Sequence, residues 1–336
     1  MKYVKIILII IIFFVLVIFL GKLVSLKYIT LYPEGSFISD YYKEENPHDV
    51  IFLGDCEAYT SFSPITMYNE YGITSFVRGN SQQLIGQSYY ILSETLKYEK
   101  PKIVVLSVAA MQYSPGIKEE YNRLLLDKMR WSKEKIEIIK YSKMKDENFL
   151  SYVFPLLRYH ERIGELTKED FDYLFKDKVV SHNGFLINTT IKPFTVLPNK
   201  KVLKDYSFNS DNILYLKKIV KLCKDNNITL ILEKSPTLYP YWYDEYDSFI
   251  KSFAKENNVD YYNFIDYIED INIDYNYDTY DGGVHLNLTG AEKFSKYFAR
   301  LLKEKYNLTS HLEENIKIDY NKKYERYVKE VNEKNN

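Results

Sequence analysis

Three side chains have the types needed for nucleophilic catalysis: Cys56, His285 and Asp281. Cys56 closes the stretch Asp49-Val-Ile-Phe-Leu-Gly-Asp-Cys56, which places its thiol just past a short apolar strand and at the start of the next helix. Backbone N–H groups and the positive end of a helix favour the thiolate at such a position. Asp281 and His285 share the loop Tyr280-Asp-Gly-Gly-Val-His-Leu-Asn-Leu-Thr-Gly290, directly before a helical pattern, and Gly282 and Gly283 permit a tight path between them. The imidazole can take the thiol proton and later return it to a leaving group, while the carboxylate fixes its tautomer and orientation. The expectation is a Cys56–His285–Asp281 constellation at one edge of a parallel sheet. The competing reading has Cys56 as buried filler and His285 as a hydrogen-bonded turn residue.

The elements that must position these groups follow from periodicity. Short apolar runs at Asp49–Leu53, Ile73–Val77, Lys102–Val108, Ile228–Glu233 and Asp260–Phe264 read as strands. Helical patterns at Pro64–Tyr71, Ser81–Tyr98, Ser210–Asn226, Glu245–Asn257 and Thr289–Tyr306 alternate with them, which argues for an α/β fold with right-handed crossovers. More than a hundred residues separate Val108 from Ile228, too many for one crossover, so 111–211 is an α-rich insertion over the active edge. It carries helical patterns at Ile117–Met129, Ser132–Tyr141 and Glu147–Arg162, then a Gly/Asn/Pro-rich stretch over Ser181–Asn199. The α/β domain spans 29–308, and the highly charged 309–336 reads as a peripheral helix or solvated tail.

At 336 residues the chain can bury a substantial core, and a net charge of −1 argues against nucleic acid as a partner. Cys56 and Cys223 form neither a disulfide framework nor a metal-ligand spacing, and Cys223 reads as a small core residue. The 34 Tyr reflect codon bias or offer carbohydrate contacts. With no phosphate-cradling glycine loop or metal-ligand cluster, the sequence points to no cofactor and no metal. Residues 1–28 form an N-terminal transmembrane anchor. The uncharged run Ile6–Gly21 between Lys5 and Lys22 spans about 24 Å, and the flanking lysines extend it by snorkelling toward the ~30 Å hydrocarbon core. A cleaved signal sequence competes, but Val24-Ser25-Leu26 is a poor cleavage site. Membrane lipid is thus a partner through 6–21, with Lys27–Pro47 an irregular connector and the large polar domain outside the cytoplasm as a single-pass protein.

Gly54-Asp55-Cys56 after a strand, Gly79 after the second strand and the late Asp/His loop resemble the SGNH/GDSL hydrolase superfamily. The chain is similar in particular to membrane-anchored SGNH-like proteins of Gram-positive bacteria, in Gly54–Pro64, Tyr121–Trp131, Pro155–Arg162, Val180–Gly184 and Asp278–Lys293. The resemblance implies a three-layer, flavodoxin-like sheet with helices on both faces. It also implies acyl transfer or ester hydrolysis on a cell-envelope polysaccharide or teichoic-acid-like polymer through an acyl-Cys56 intermediate, beside a multispanning membrane acyltransferase. The alternative is a non-catalytic, membrane-tethered scaffold or glycan-binding protein. Three features depart from the family pattern. Cys56 stands where the family has Ser. Asp281 lies four rather than three residues before His285, with Asp278 as the substitute. The third-block Asn is missing from Ser107-Val-Ala-Ala-Met111. The oxyanion hole then falls to the Cys56 and Gly79 N–H groups, with Asn80 or Gln82 as side-chain donors.

Within the insertion, Arg123, Asp127, Arg130, Arg158 and His160 are candidates to line a polar substrate groove, against the reading of ordinary salt-bridged helix faces. His182 is open between the two roles, and Asn287 reads as a helix cap.

Overall fold

The computed structural model describes residues 2–31, 33–116, 118–175, 179–194, 196 and 199–335, with the backbone alone for 26–31, 169 and 173. Ile117, the expected start of an insertion helix, lies outside them. The chain opens with α1 (Lys2–Leu31), one helix long and apolar enough to cross a membrane. It runs further than the expected anchor. The segment read as an irregular connector folds as α2 (Glu34–Tyr41), where Phe37, Ile38 and Tyr41 bury themselves against the domain.

The sheet begins with β1 (Val50–Gly54), followed by α3 (Cys56–Ser61), α4 (Pro64–Tyr71), β2 (Ser75–Gly79), α5 (Ile85–Thr95) and β3 (Ile103–Ser107). The insertion supplies α6 (Glu119–Leu126), α7 (Lys133–Ser142), α8 (Leu150–Val153), α9 (Leu156–Tyr159) and α10 (Lys168–Phe175). After it come α11 (Ser210–Asp225), β4 (Thr229–Lys234), α12 (Asp244–Asn257), β5 (Asp260–Asn263), α13 (Ile268–Ile271), α14 (Leu288–Tyr306) and α15 (Glu314–Asn335). The expected helix over Glu147–Arg162 is interrupted at Pro155, which has no N–H to give and clashes with the preceding turn.

Among the described residues the five strands are all parallel, in the order β2-β1-β3-β4-β5. That doubly wound order puts a topological switch beside β1, and ligands bind at such a switch outside the carboxyl ends of the strands. Alternation along β1 builds the three layers. Ile51 and Leu53 pack with Ile91, Ile138, Leu216 and Ile250 on one face, and Val50 and Phe52 with Ile65, Phe294, Phe298 and Ile316 on the other. Each such side chain, fully buried, contributes about 1.5–3 kcal/mol.

Two late segments seal the free edge of β2. Asn183 accepts from Val77 N at 2.9 Å and gives its side-chain amide to the Ser75 carbonyl at 3.1 Å. Gly184, at φ +82°, passes so close that an added Cβ would sit 1.9 Å from the Val77 oxygen. The charged C-terminal segment folds as α15. Tyr320 is buried, stacks on Tyr68 with ring centroids 3.8 Å apart and accepts from Ser75 N at 3.2 Å.

Candidate active site

The carboxyl end of β1 delivers Gly54 and Asp55, and Asp55 caps α3 by accepting from Glu57 N at 3.1 Å. That cap makes Cys56 the first residue of the helix. Asp55 is fully buried, with the Tyr113 phenol beside its carboxyl; burial, reinforced by the Glu57 charge, raises its pKa to about 6. Cys56 is partly buried against the Phe52/Phe298 side of the core. Burial pushes its thiol well above the usual range, and the Asp55 and Glu57 charges push the same way. This corrects the expectation of a thiolate favoured by the helix end. The Cys56 and Glu57 N–H groups do pull the pKa down, but α3 has six residues and two carboxyls flank the sulfur.

The loop before α14 carries the second half. His285 Nδ1 meets Asp281 Oδ2 at 2.6 Å, and His285 N donates to Asp281 Oδ1 at 2.7 Å. Gly282 and Gly283 hold the intervening turn at φ +78° and +98°. The Tyr280 ring lies parallel to the imidazole, 7° apart in plane with centroids separated by 5.5 Å. Burial raises the Tyr280 phenol, and the charges of Asp281, Cys56 and Glu34 push the same way. Asn287 caps α14 by accepting from Gly290 N at 3.1 Å. Asp278, the substitute acid, is fully buried and held by Lys293 Nζ at 2.7 Å and Asp274 N at 2.7 Å. Among the described residues no hydrogen bond joins the Cys56 sulfur to His285; the imidazole reaches this end of the site as a charge that lowers the pKa of Asp55.

Gly79 stands opposite Gly54 in the sheet register, and an added Cβ there would lie 3.1 Å from the Gly54 oxygen and 3.2 Å from that of Asp55. Asn80 donates its backbone N–H to the Gly54 carbonyl at 3.3 Å and its side-chain amide to the Glu34 carbonyl at 2.9 Å, so both its donors hold structure. Gln82 adopts a left-handed φ of 49° and keeps a buried, unpartnered Oε1.

Beneath the nucleophile position lies a polar cluster that the sequence reading missed. Lys234 Nζ, at the end of β4, donates to both Glu57 carboxylate oxygens at 3.1 and 2.9 Å, to Thr237 Oγ1 at 2.8 Å and to the Ser235 carbonyl at 2.9 Å. Thr237 in turn donates to Glu57 at 2.9 Å. Beside them, burial and the Glu57 charge raise the Glu233 carboxyl to about 8. The available signal was the pair Glu233-Lys234 ending an otherwise apolar strand, since charges there are rarely buried unpaired.

The candidates in the insertion sit elsewhere. Arg123 is buried, with its guanidinium 3.7 Å over the Tyr152 ring and donating to the Ser151 carbonyl at 3.1 Å and Asp127 at 3.3 Å. Arg130 lies 4.4 Å over the Tyr42 ring, on the rim of a hollow of about 280 Å³ shared with His48 and Glu99. His160 is exposed at the start of a 3₁₀ turn. His182 is buried and paired through Nε2 with Glu330 at 2.9 Å. A second hollow of about 280 Å³ is lined by Gln112, Lys201, Tyr239, Tyr241, Tyr243 and Tyr246, and the residue before Tyr239 ties this segment to the His285 loop. The link is Leu238, which donates to the Gly283 carbonyl at 2.8 Å.

No protein-family model matches the chain, and no curated protein matches it. Solved structures with a similar arrangement include a psychrotrophic esterase from Pseudoalteromonas sp., at 12% identity with 77% of this chain and 100% of that chain covered and a TM-score of 0.39. A GDSL-like lipase from Bacteroides thetaiotaomicron matches at 12% identity, covering 81% of this chain and 98% of that one with a TM-score of 0.38. A family 3 carbohydrate esterase from Clostridium thermocellum matches at 11% identity, covering 78% and 98% with a TM-score of 0.39.

Proposed function

We propose that the chain is a membrane-anchored SGNH-type acyltransferase or esterase that acts on a cell-envelope polysaccharide or teichoic-acid-like polymer. The observation that carries this reading is the Asp281–His285 pair at 2.6 Å, with the imidazole stacked on Tyr280. His285 Nε2 takes the Cys56 proton as the sulfur attacks the acyl carbonyl. The tetrahedral oxyanion is held by the Cys56 and Gly79 N–H groups, and the imidazolium protonates the departing alcohol. A sugar hydroxyl or water then attacks the thioester, losing its proton to His285, and Cys56 leaves and regains a proton. Because the resting sulfur is a thiol, proton removal by His285 coincides with attack. The tyrosine-lined hollow beside the loop suits a sugar ring of the acceptor. In this reading α1 crosses the membrane with the domain on the envelope side, and a multispanning membrane acyltransferase is the proposed source of acyl groups.

The test is intact-mass detection of an acyl adduct on Cys56 after incubation with an activated ester. His285→Ala slows acylation by about 10²–10⁴-fold, and Cys56→Ala abolishes the label. An equal label on Cys56→Ala sinks the proposal. The raised thiol pKa and the missing sulfur–imidazole hydrogen bond favour a second reading, a non-catalytic scaffold or glycan-binding protein. For that reading, wild type and Cys56→Ala bind envelope polymer equally and neither is acylated.

A further inference from the structure

The insertion helices next to the anchor leave large apolar side chains in the open. Leu150 on α8, Leu157 on α9, Ile163 in the following turn, and Phe171 and Phe175 on α10 are each between 45% and 82% exposed. Water disfavours such a collection, and contiguous apolar surface on one subdomain marks an interaction face.

The covering of α1 locates that face. From Tyr3 to Phe19 its large apolar side chains are largely bare, while Leu23 and Val24 are buried. The change falls at Gly21, where an added Cβ would lie 3.5 Å from the Pro155 side chain and 3.6 Å from Leu156 N. The uncovered stretch Lys2–Leu20 is about 28 Å long at 1.5 Å per residue, close to the ~30 Å of a bilayer core. Lys22, exposed between buried neighbours, stands where the headgroups begin. The helix therefore leaves the hydrocarbon layer at the level where α9 packs on it, and α10 packs on it too.

We infer that the exposed apolar face of residues 150–175 is seated in the bilayer interface beside α1, so that the domain lies on the membrane surface rather than swinging from its anchor. The occupant is lipid. The elements that carry this face pack on α1, with Pro155 and Leu156 against Gly21 where the uncovered stretch ends, and they mix apolar side chains with the polar Arg158, His160, Glu161 and Lys168, the composition of elements that sink about 5–10 Å into the headgroup boundary. Seating also fixes the height of the Cys56 edge. The first residue of α2, Glu34, holds the Asn80 amide through its carbonyl, and its carboxylate is 3.5 Å from the Tyr59 phenol. The inference rests on α1 crossing the membrane.

The test uses the full chain in phosphatidylcholine vesicles containing lipids brominated at shallow or deep acyl positions. Tryptophan is introduced singly as Leu157→Trp, Phe171→Trp, Phe13→Trp on α1 and Leu214→Trp on α11, with quenching of the unsubstituted chain subtracted. The expected result is strong quenching of Phe13→Trp by deep bromines, and quenching of Leu157→Trp and Phe171→Trp by shallow bromines at least twofold above Leu214→Trp. If Phe13→Trp is quenched but the two insertion probes match Leu214→Trp, the seating is wrong while the anchor stands. Insertion probes shielded from aqueous acrylamide yet unquenched by bromine assign the face to a protein, which also overturns it. An unquenched Phe13→Trp overturns the anchor and the seating together.

Discussion

Replacing Lys234 with Met removes the cation that neutralises Glu57 directly beneath Cys56. The two side chains are 0% and 2% exposed, so no solvent takes over the role of the ammonium group. Lys234 Nζ gives two hydrogen bonds to Glu57, one to Thr237 and one to the Ser235 carbonyl, and the substitution leaves Glu57 with the Thr237 hydroxyl as its remaining partner here. Breaking one side of a buried pair costs about 3–5 kcal/mol, chiefly from the uncompensated charge left behind. With a urea slope of about 3 kcal/mol/M for a chain of this size, the midpoint falls by about 1–1.7 M. The assay is urea unfolding of the full chain in detergent, followed by near-UV circular dichroism. Glu57→Gln combined with Lys234→Met removes the stranded charge and recovers more than half of the loss. The same stranded charge lies beside the thiol, so alkylation of Cys56 slows in the single variant relative to the double. A loss below about 1 kcal/mol in Lys234→Met, or a double variant as unstable as the single, refutes the reasoning.

Three further outcomes follow from the same structure. Burial opposes the charge on His48, but the hydrogen bonds its imidazolium donates to Glu44 and Glu99 outweigh it and raise its pKa from 6.5 to about 9. This stabilisation is full below pH 6.5 and is lost as pH rises toward 9. It amounts to about 3 kcal/mol, and the wild-type decline in urea midpoint over that range flattens in His48→Gln. Gly184→Ala forces a Cβ into the Val77 oxygen at a positive φ, which costs at least about 2 kcal/mol and lowers the thermal midpoint measured by calorimetry. Because burial and the Asp55 and Glu57 charges hold the Cys56 thiol protonated, its iodoacetamide rate at neutral pH lies below that of a small free thiol and still climbs past pH 9; a plateau below about pH 8 contradicts this account.

Much of the architecture could be read from short-range pattern. The apolar runs at Asp49–Leu53, Ile73–Val77, Lys102–Val108, Ile228–Glu233 and Asp260–Phe264 each became a strand within about two residues, and their alternation with helical periodicity dictated a parallel sheet. The contact between Asp281 and His285 was legible as well, because two glycines separate groups four positions apart. The helices α2 and α10 were not, since short helices with weak periodicity owe their existence to what they pack against.

What the linear order determined is thus local: a strand running into Gly54-Asp55-Cys56, an acid and an imidazole on one loop, and an apolar N-terminal helix. Tertiary structure decided how those groups behave. Glu57 and Lys234 meet across 177 positions, Asn80 gives its amide to Glu34, and α15 closes the β2 edge through Tyr320. The Cys56 thiol is raised rather than lowered because burial and two neighbouring carboxyls outweigh two backbone N–H groups. Periodicity and capping act through the nearest few residues and so are written in the sequence. Desolvation and Coulomb interactions act through whatever the fold brings within a few ångströms, and they exist only once the chain has closed around the site.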